Sequence, residues 1–322
     1  MKALLVGVGE WGKKWFDLLV EDRDIEVVVV EKDKEKLEGH FQGSPYYKSL
    51  GKALEKEEID FLINVTPPQV HTIVNKKAFE ANIPVLSEAP IGASYKQAQK
   101  IVKKAREEGV FFQIAANYRQ FPIVNKTGKY IKNGELGKLK TVRVDFRKKG
   151  FEKEYYKELK HPILLDISIH HLDLIRYIFR KRGQRIFAQS YAPRDNWFSG
   201  ASNLHLFLEL KNGVSISYDG SLVARAAETN WLGDWRIEGT KGVILLRDNK
   251  FCLIKEGEVR EILEFKEQPH LKGCLDSFLL SLTNERTVGV KIRDYLKTQQ
   301  LTAWAKKSSE QDRFLDIEEN IK

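Results

Sequence analysis

One short stretch of the chain, DISIHHLD, carries several side chains that could exchange protons with a substrate. Within it Asp166 and His170 are four residues apart, so in a helix they share a face and can touch. An aspartate that orients an imidazole makes a general acid/base couple with a pKa in the useful range. The spacing also fits a structural role, with the aspartate favouring the helix N-terminus and the histidine buried in a core.

A metal site is another chemistry that these residue types allow. Beyond Asp166 and His170, however, no further cluster of cysteine, histidine or acidic residues offers a third and a fourth ligand at a known spacing. We therefore expect no metal ion at this stretch.

A glycine-rich loop near the N-terminus is the second chemical signal. Gly7, Gly9 and Gly12 in GVGEWG have the G-x-G-x-x-G spacing. The first glycine permits a tight turn, the second lets backbone approach a pyrophosphate, and the third lets helix pack close to strand. A glycine-bearing turn without a ligand is the alternative. The loop residues that we expect to bind a dinucleotide are Gly7, Gly9, Glu10, Trp11 and Gly12.

The segments around this loop match a dinucleotide-binding unit. Residues 2–8 are an apolar run without helical period, typical of a buried strand, and residues 11–20 continue as a helix. Residues 25–30 form a second apolar run that ends on Glu31, where an acceptor for the adenosine ribose hydroxyls is needed. A carboxylate there repels a 2′-phosphate, so NAD(H) is favoured over NADP(H), although Lys32 and Lys34 could soften that preference.

Strands and helices alternate up to about residue 118, which predicts a doubly wound parallel sheet, a Rossmann domain, over residues 1–118. Ligands of such sheets bind beyond the carboxyl ends of the strands. Four further residues at predicted strand ends should therefore line the cofactor crevice: Thr66, Pro67, His71 and Glu88.

The pattern changes in the second half of the chain. From about residue 138 the strands become long and alternate polar with apolar residues, and one helix interrupts them over residues 165–179. This pattern predicts an α+β domain over residues 119–322, with a mostly antiparallel sheet covered by helices on one face. The fold class is therefore α/β with a second, α+β domain.

Composition narrows the class of protein. The chain has 322 residues, 42% hydrophobic and 31% charged, which is typical of a soluble globular protein of about two domains. The net charge of +9 comes from lysines scattered among glutamates, a solvated surface rather than a nucleic-acid site. No apolar run approaches the roughly 20 residues of a membrane span. Two cysteines in such a chain indicate a reducing compartment, so we expect a cytoplasmic protein.

Several motifs together resemble the Gfo/Idh/MocA family of NAD(P)-dependent oxidoreductases, over nearly the whole chain. The matching segments are GVGEWG, TPPQVH, SEAP, NYRQFP, NGELGKLKTVRVDF, DISIHHLDLIRY and WRIEGTKG. The resemblance implies a C-terminal domain with a large open sheet whose open face borders the active site and often mediates oligomer contacts. It further implies hydride transfer to or from a small sugar- or polyol-like molecule, and a homodimer or homotetramer.

The resemblance also implies roles for single residues. Asp166 and His170 match the aspartate and histidine that act on the substrate hydroxyl in the family. The lysine of the family's Glu-Lys-Pro motif is replaced by Ala89. An ammonium there would anchor the reacting oxygen and stabilise its charge, and a methyl group does neither. The expected substrate contacts are Tyr118, Arg119 and His171.

The missing lysine leaves three functions open. An NAD(H)-dependent oxidoreductase on a hydroxylated or carbonyl substrate is favoured by the pair Asp166 and His170. A dinucleotide-binding sensor or scaffold without turnover is favoured by Ala89. A reductase of a C=N or C=C bond is the third, because hydride delivery then needs less help at oxygen.

Overall fold

The computed structural model describes residues 1–21, 25–37, 39–41, 43–149, 156, 159–194, 196, 199–266, 270–283 and 288–318. The chain divides into two compact units. The first unit comprises Met1–Asn117 and His270–Gln299, and the second comprises Tyr118–Pro269 and Gln300–Lys322.

The first unit is built on a parallel sheet. Its strands are β1 (Lys2–Val6), β2 (Glu26–Val30), β3 (Tyr46–Tyr47), β4 (Phe61–Asn64), β5 (Val85–Ser87) and β6 (Phe112–Ile114). Between them lie the helices α1 (Glu10–Glu21), α2 (Leu50–Lys56), α3 (Pro68–Glu80) and α4 (Tyr95–Glu107). The strand order β3-β2-β1-β4-β5-β6 is that of a doubly wound Rossmann sheet, so the predicted fold of this part is confirmed.

Burial on both faces explains why these strands are continuous apolar runs. Leu4 belongs to the core cluster on one face of the sheet, whereas Ala3 and Leu5 belong to the cluster on the other face. Successive side chains of a strand point to opposite faces, so a strand covered by helices on both sides needs apolar residues at every position.

A helix late in the chain returns to the first unit. Residues Leu271, Cys274, Leu275 and Phe278 pack into the same core cluster as Phe61. Their spacing is that of one apolar helix face, which is buried here against the parallel sheet. A contiguous second domain was expected over residues 119–322, whereas residues His270–Gln299 of that range belong to the first unit.

The second unit is built on a nine-stranded sheet. Its strands are β7 (Leu139–Arg147), β8 (Gly183–Tyr191), β9 (Asn203–Leu210), β10 (Ser215–Ser221), β11 (Asp234–Gly239), β12 (Val243–Arg247), β13 (Lys250–Lys255), β14 (Glu258–Glu264) and β15 (Leu315–Asp316). Its helices are α5 (Pro122–Lys132) and α6 (Ser168–Phe179). Further along the chain, α7 (Leu271–Thr283) belongs to the first unit, and α8 (Ile292–Gln311) begins in the first unit and ends in the second.

Strand pairing in this sheet is antiparallel except between β7 and β10, which confirms the prediction of a mostly antiparallel sheet. One face of β7 carries Val142, Val144 and Phe146, all buried, while Arg143 and Asp145 alternate with them. The alternation explains the half-polar strand pattern of the sequence. Within the described residues, no helix has the length and apolar character to cross a membrane.

Candidate functional site

The glycine loop between β1 and α1 shows a different restriction at each glycine. Gly7 has a φ of +102°, and a Cβ there would lie 2.8 Å from the carbonyl oxygen of Val65. A Cβ on Gly12 would lie 2.3 Å from the carbonyl oxygen of Gly7. By contrast, a Cβ on Gly9 would meet nothing within 4 Å. Gly7 and Gly12 are therefore required by the chain itself, whereas the space at Gly9 fits a group that approaches the backbone, as a pyrophosphate does.

The first turn of α1 follows directly and presents its N-terminus to this loop. The amide of Lys13 donates to the carbonyl oxygen of Gly9 at 3.0 Å, which continues the helix from the loop. The ammonium of Lys14 lies 3.3 Å from a carboxylate oxygen of Glu10 and 4.4 Å from the ring centre of Trp11. Helix N-termini favour anions, so this arrangement suits a dinucleotide phosphate.

Glu31 is held in place at the end of β2. Its Oε1 atom accepts hydrogen bonds from the amides of Lys32, at 2.9 Å, and Asp33, at 3.1 Å. Its own amide donates to the carbonyl oxygen of Tyr47 at 3.1 Å. The carboxylate therefore has a defined position at the carboxyl end of the strand, where a ribose acceptor is expected. The side chain of Lys34 lies outside the described residues.

The loop after β4 is organised by a buried amide and a buried imidazole. Asn64 Oδ1 accepts from the amide and the hydroxyl of Thr66, at 3.2 and 2.7 Å. His71, 1% exposed, places Nε2 2.6 Å from the carbonyl oxygen of Thr66 and Nδ1 2.7 Å from that of Pro90. His71 thus ties together two strand-end loops, the exposed Pro67 lying in the first of them. In the sequence, the one sign of this role is that Asn64, a polar residue, ends an apolar strand.

The loop after β5 contains Glu88 and Ala89. The indole Nε1 of Trp15, a residue of α1 that is fully buried, donates to Glu88 Oε1 at 2.7 Å. Ala89 is half-buried and packs against an apolar core cluster of the first unit. Trp15 is a contact that the sequence did not suggest, because an aromatic residue on an amphipathic helix is typical of any core.

The segment with Asp166 and His170 is not one continuous α-helix. Residues Ile163–Ile167 form a π-helical turn, closed by a hydrogen bond from the amide of Ser168 to the carbonyl oxygen of Ile163, and α6 follows. Asp166 therefore lies in the π-helical turn and His170 in the first turn of α6. Such turns are uncommon in proteins and occur frequently at functional sites.

Two tyrosines of the second unit hold this pair. The hydroxyl of Tyr156, a residue only 1% exposed, donates to Asp166 Oδ2. The ring of Tyr118 stacks on the imidazole of His170, with 4.8 Å between ring centres and 22° between planes. Asp166 and His170 themselves are half-buried, so each keeps a solvent-exposed fraction. Tyr118 was expected to contact substrate, and the structure places its ring against His170.

His171 occupies a different environment from its neighbour. It is fully buried, with Nδ1 3.0 Å from the hydroxyl of Tyr218 and Nε2 3.0 Å from the carbonyl oxygen of Trp231. Because a carbonyl only accepts, Nε2 carries the proton and Nδ1 accepts from Tyr218. Burial lowers the pKa of His171 to about 4, against a smaller opposite effect of the Trp231 carbonyl. The expectation that His171 contacts substrate is therefore corrected: about 100° of helix rotation turns it into the core.

Arg119 is also engaged inside the second unit. Its Nε and Nη2 atoms donate to the two carboxylate oxygens of Asp173, at 2.7 and 2.6 Å. Arg119 and Asp173 are 8% and 2% exposed. A buried bidentate pair of this kind orients α6 relative to the segment after Asn117, and it differs from the substrate contact expected of Arg119. Among the described residues, no three His, Cys, Asp or Glu side chains converge to hold a metal ion.

Comparison with known proteins gives the same family for both halves of the chain. Residues 1–116 match a profile described as an oxidoreductase family with an NAD-binding Rossmann fold. Residues 124–245 match the GFO/IDH/MocA C-terminal domain.

Individual relatives are distant in sequence but similar in length. An uncharacterized protein of Sinorhizobium fredii is 25% identical over 264 residues, which are 76% of this chain and 72% of that protein. Myo-inositol 2-dehydrogenase of Thermotoga maritima is 24% identical over 289 residues, 85% of each chain.

Among solved structures, an oxidoreductase from Agrobacterium radiobacter, in complex with NAD+, L-tartaric acid and magnesium, has a TM-score of 0.89. It is 19% identical, and the superposition covers 98% of both chains, which shows that the fold is shared. With both of its domain profiles matched in order, the chain belongs to the Gfo/Idh/MocA family of oxidoreductases, and its first 116 residues are that family's NAD-binding Rossmann domain.

Proposed function

We propose that this protein is an NAD(H)-dependent oxidoreductase that transfers hydride to or from a small sugar- or polyol-like substrate. The observation that carries the proposal is the setting of His170. Its imidazole is partly exposed to solvent and stacks on Tyr118, and Asp166, whose carboxylate is bound by Tyr156, lies about one helical turn before it. The relative that acts on myo-inositol, a polyol, supports the substrate class.

The first unit would hold the cofactor through the glycine loop, the first turn of α1 and the carboxylate of Glu31. The space at Gly9 and the required glycines on either side of it fit a dinucleotide. When bound, a nicotinamide dinucleotide supplies or takes up the hydride. A further set of residues at the strand ends would border it: Thr66, Pro67, His71 and Glu88.

The second unit would handle the proton. In oxidation of an alcohol, His170 takes the hydroxyl proton as the carbon loses its hydride, and in reduction it returns that proton. Asp166, four residues before His170, would stabilise the imidazolium that forms, because a carboxylate brought close to an imidazole favours its charged form. Tyr156 holds the carboxylate through Oδ2, so that Asp166 keeps one orientation during the transfer.

The proposal includes a preference for NAD(H) over NADP(H). Two backbone amides hold Glu31 Oε1 at the end of β2, which supports a carboxylate at the expected place of the ribose 2′-position. A 2′-phosphate would meet that charge, whereas ribose hydroxyls would donate to it.

A sensor that binds the dinucleotide without turnover is the second candidate, and Ala89 favours it. The half-buried methyl group packs against apolar side chains, in the place where the family resemblance implies a lysine.

The variant Ala89→Lys distinguishes the enzyme from the sensor. If the protein is an enzyme, the added ammonium should raise turnover, since a preorganised charge in a dry site contributes several kcal/mol. If the protein is a sensor, the variant should have a lower melting temperature and no higher turnover, because the ammonium of the new lysine is then buried without a partner.

The decisive experiment measures turnover and cofactor binding on the same samples. Polyols and hydroxylated acids would be tested with NAD+ and keto-sugars with NADH, and calorimetry would give the affinity for NADH. Turnover of any of these compounds that is lost in His170→Ala, with NADH affinity retained, is the expected result. Tight NADH binding with no turnover across the panel would instead favour the sensor.

A further inference from the structure

Lys148 directly follows β7, and its side chain lies on the face of the nine-stranded sheet that packs against α6. The chain stays extended beyond the strand. The amide of Lys148 donates to the carbonyl oxygen of Ser221 at 2.9 Å, and Lys149 forms a β-bridge with Val223. Val144 and Phe146 are buried on one face, so alternation places Lys148 on that face and Lys149 on the other. The side chain of Lys148 is only 15% exposed, as this placement requires.

The ammonium of Lys148 has weak partners in this position. It lies 3.4 Å from Glu228 Oε2 and 5.0 Å from the ring centre of Trp231. The Glu228 side chain is 42% exposed, and its other oxygen accepts from the amide of Lys149 at 2.9 Å. An ammonium has three N–H donors, and an ion pair as long and as solvent-exposed as this one contributes little. Lys148 therefore keeps the capacity to bind an anion.

Trp231 connects this lysine to the helix that carries His170. Its carbonyl oxygen accepts from His171, the neighbour of His170 in α6, and the ring of Phe146 lies 4.9 Å from that of His171. Trp231 is nevertheless 37% exposed. A half-exposed indole beside a half-buried ammonium is an apolar surface with one polar group at its edge, the composition of a small-ligand subsite.

We propose that Lys148 and Trp231 form a subsite for the carboxylate of a hydroxylated acid, so that the substrate class is sugar acids rather than neutral sugars. This inference rests on the proposed oxidoreductase function and narrows its substrate. The ammonium donates charge-assisted hydrogen bonds to the carboxylate, and the indole packs against the C–H groups of the polyol chain. Glu228 stays near the ammonium, and the ligand carboxylate accepts from the N–H donors that this weak ion pair leaves available.

A carboxylate fits this subsite better than a phosphate group. The Glu228 carboxylate stays within reach of the ammonium, because the Lys149 amide holds its other oxygen. A phosphate dianion would therefore meet one cation and one fixed anion, whereas a carboxylate carries half that charge and suffers less repulsion.

The test compares D-gluconate with D-glucitol, which share a six-carbon chain and differ in the carboxylate. Calorimetry in the presence of NADH should show tighter binding of gluconate to the unaltered protein. Lys148→Met should weaken gluconate binding about 10- to 100-fold, the usual range for one charge-assisted hydrogen bond, and leave glucitol binding unchanged. Glu228→Gln should strengthen gluconate binding, because it removes the competing anion while its side-chain oxygen can still accept from Lys149.

Lys149→Met is the matched control, since it removes the same charge from the adjacent, exposed position on the opposite face. Equal binding of the two ligands, binding of neither, tighter binding of glucose 6-phosphate than of gluconate, or equal losses in both lysine variants would overturn the subsite. Melting temperatures check that each variant is folded, and the gain expected of Glu228→Gln cannot arise from misfolding.

The outcome also separates this inference from the function on which it rests. Gluconate binding that depends on Lys148, with no hydride transfer to any substrate, would reject the oxidoreductase proposal and retain the subsite. Oxidation of neutral polyols, with gluconate bound no better than glucitol, would retain the proposal and reject the subsite.

Discussion

The glycine loop of the first unit and the Asp166 segment of the second unit reach their shapes by different routes. In the loop, the restrictions come from backbone atoms: a Cβ at Gly12 would strike Gly7, five residues before it, and a Cβ at Gly7 would strike Val65, just after β4. In the Asp166 segment, the side chains that set the geometry come from elsewhere in the unit, including Tyr156 and Tyr118. The glycine loop is therefore shaped by steric limits on the backbone, whereas the candidate proton-transfer pair is held by side chains that pack within the second unit.

The two adjacent histidines of α6 show the consequence most directly. His170 is half-buried and stacked on one tyrosine, whereas His171 is fully buried, with a partner at each ring nitrogen. The residue type is the same and the position differs by one. Helix rotation alone separates a candidate proton carrier from a core residue.

The largest effect should come from His170→Ala. If His170 carries the proton, kcat should fall roughly 10²- to 10⁴-fold, the usual contribution of one proton-transfer group, with NADH affinity preserved. His205→Ala is the control, because its side chain is 54% exposed on the sheet and pairs with Asp219. A normal rate for His170→Ala would make both histidines of α6 structural and remove the contrast between them.

His171 should instead appear in the pH dependence of stability. Its pKa is lowered by burial from 6.5 to about 4, so between these values the unfolded chain binds a proton that the folded chain does not. The contribution of His171 to the free energy of unfolding should therefore be constant above pH 6.5 and fall by about 3 kcal/mol as the pH drops to 4.

Urea unfolding at several pH values across this range would measure that loss. His171→Gln, whose amide can still donate and accept but does not titrate, should be less stable near neutral pH and show a flatter dependence. The same slope in His171→Gln as in the unaltered protein would assign the pH dependence to another group.

Gly9 and Gly12 lie in the same loop, but alanine should affect stability at one and NADH binding at the other. Gly12→Ala should lower the free energy of unfolding by about 1–3 kcal/mol, because the new methyl group overlaps the Gly7 carbonyl. Gly9→Ala should leave stability unchanged, since its methyl group meets nothing within 4 Å, and should weaken NADH binding about tenfold or more. Chemical denaturation and NADH titration of both variants would check this, and unchanged NADH binding by Gly9→Ala would place the pyrophosphate elsewhere.

The smallest effect is expected at Glu31. NADH should bind more tightly than NADPH, and Glu31→Ala should narrow that difference about tenfold, through the loss of acceptors for ribose hydroxyls and of charge repulsion. Glu35→Ala, a nearby change of the same charge, is the control. Tighter binding of NADPH to the unaltered protein in calorimetric titrations would contradict the assigned preference.

The amino-acid sequence by itself determined the parallel sheet, the glycine loop and the position of Glu31 at the end of β2. Each of these depends on spacing along a few dozen residues: apolar runs make buried strands, and G-x-G-x-x-G makes the turn between strand and helix. The alternating strands of the second unit followed from the same kind of local pattern, as did its mostly antiparallel pairing.

Only the tertiary structure decided which side chains meet. Trp15 reaches Glu88 across 73 positions and Trp231 reaches His171 across 60, and α7 returns to cover the first unit. The π-helical turn at Asp166 and the tyrosine bound to its carboxylate were likewise unforeseen. Such contacts join residues that are far apart in the chain or outside regular periods, so they depend on how packed side chains fill space, which spacing along the sequence does not specify.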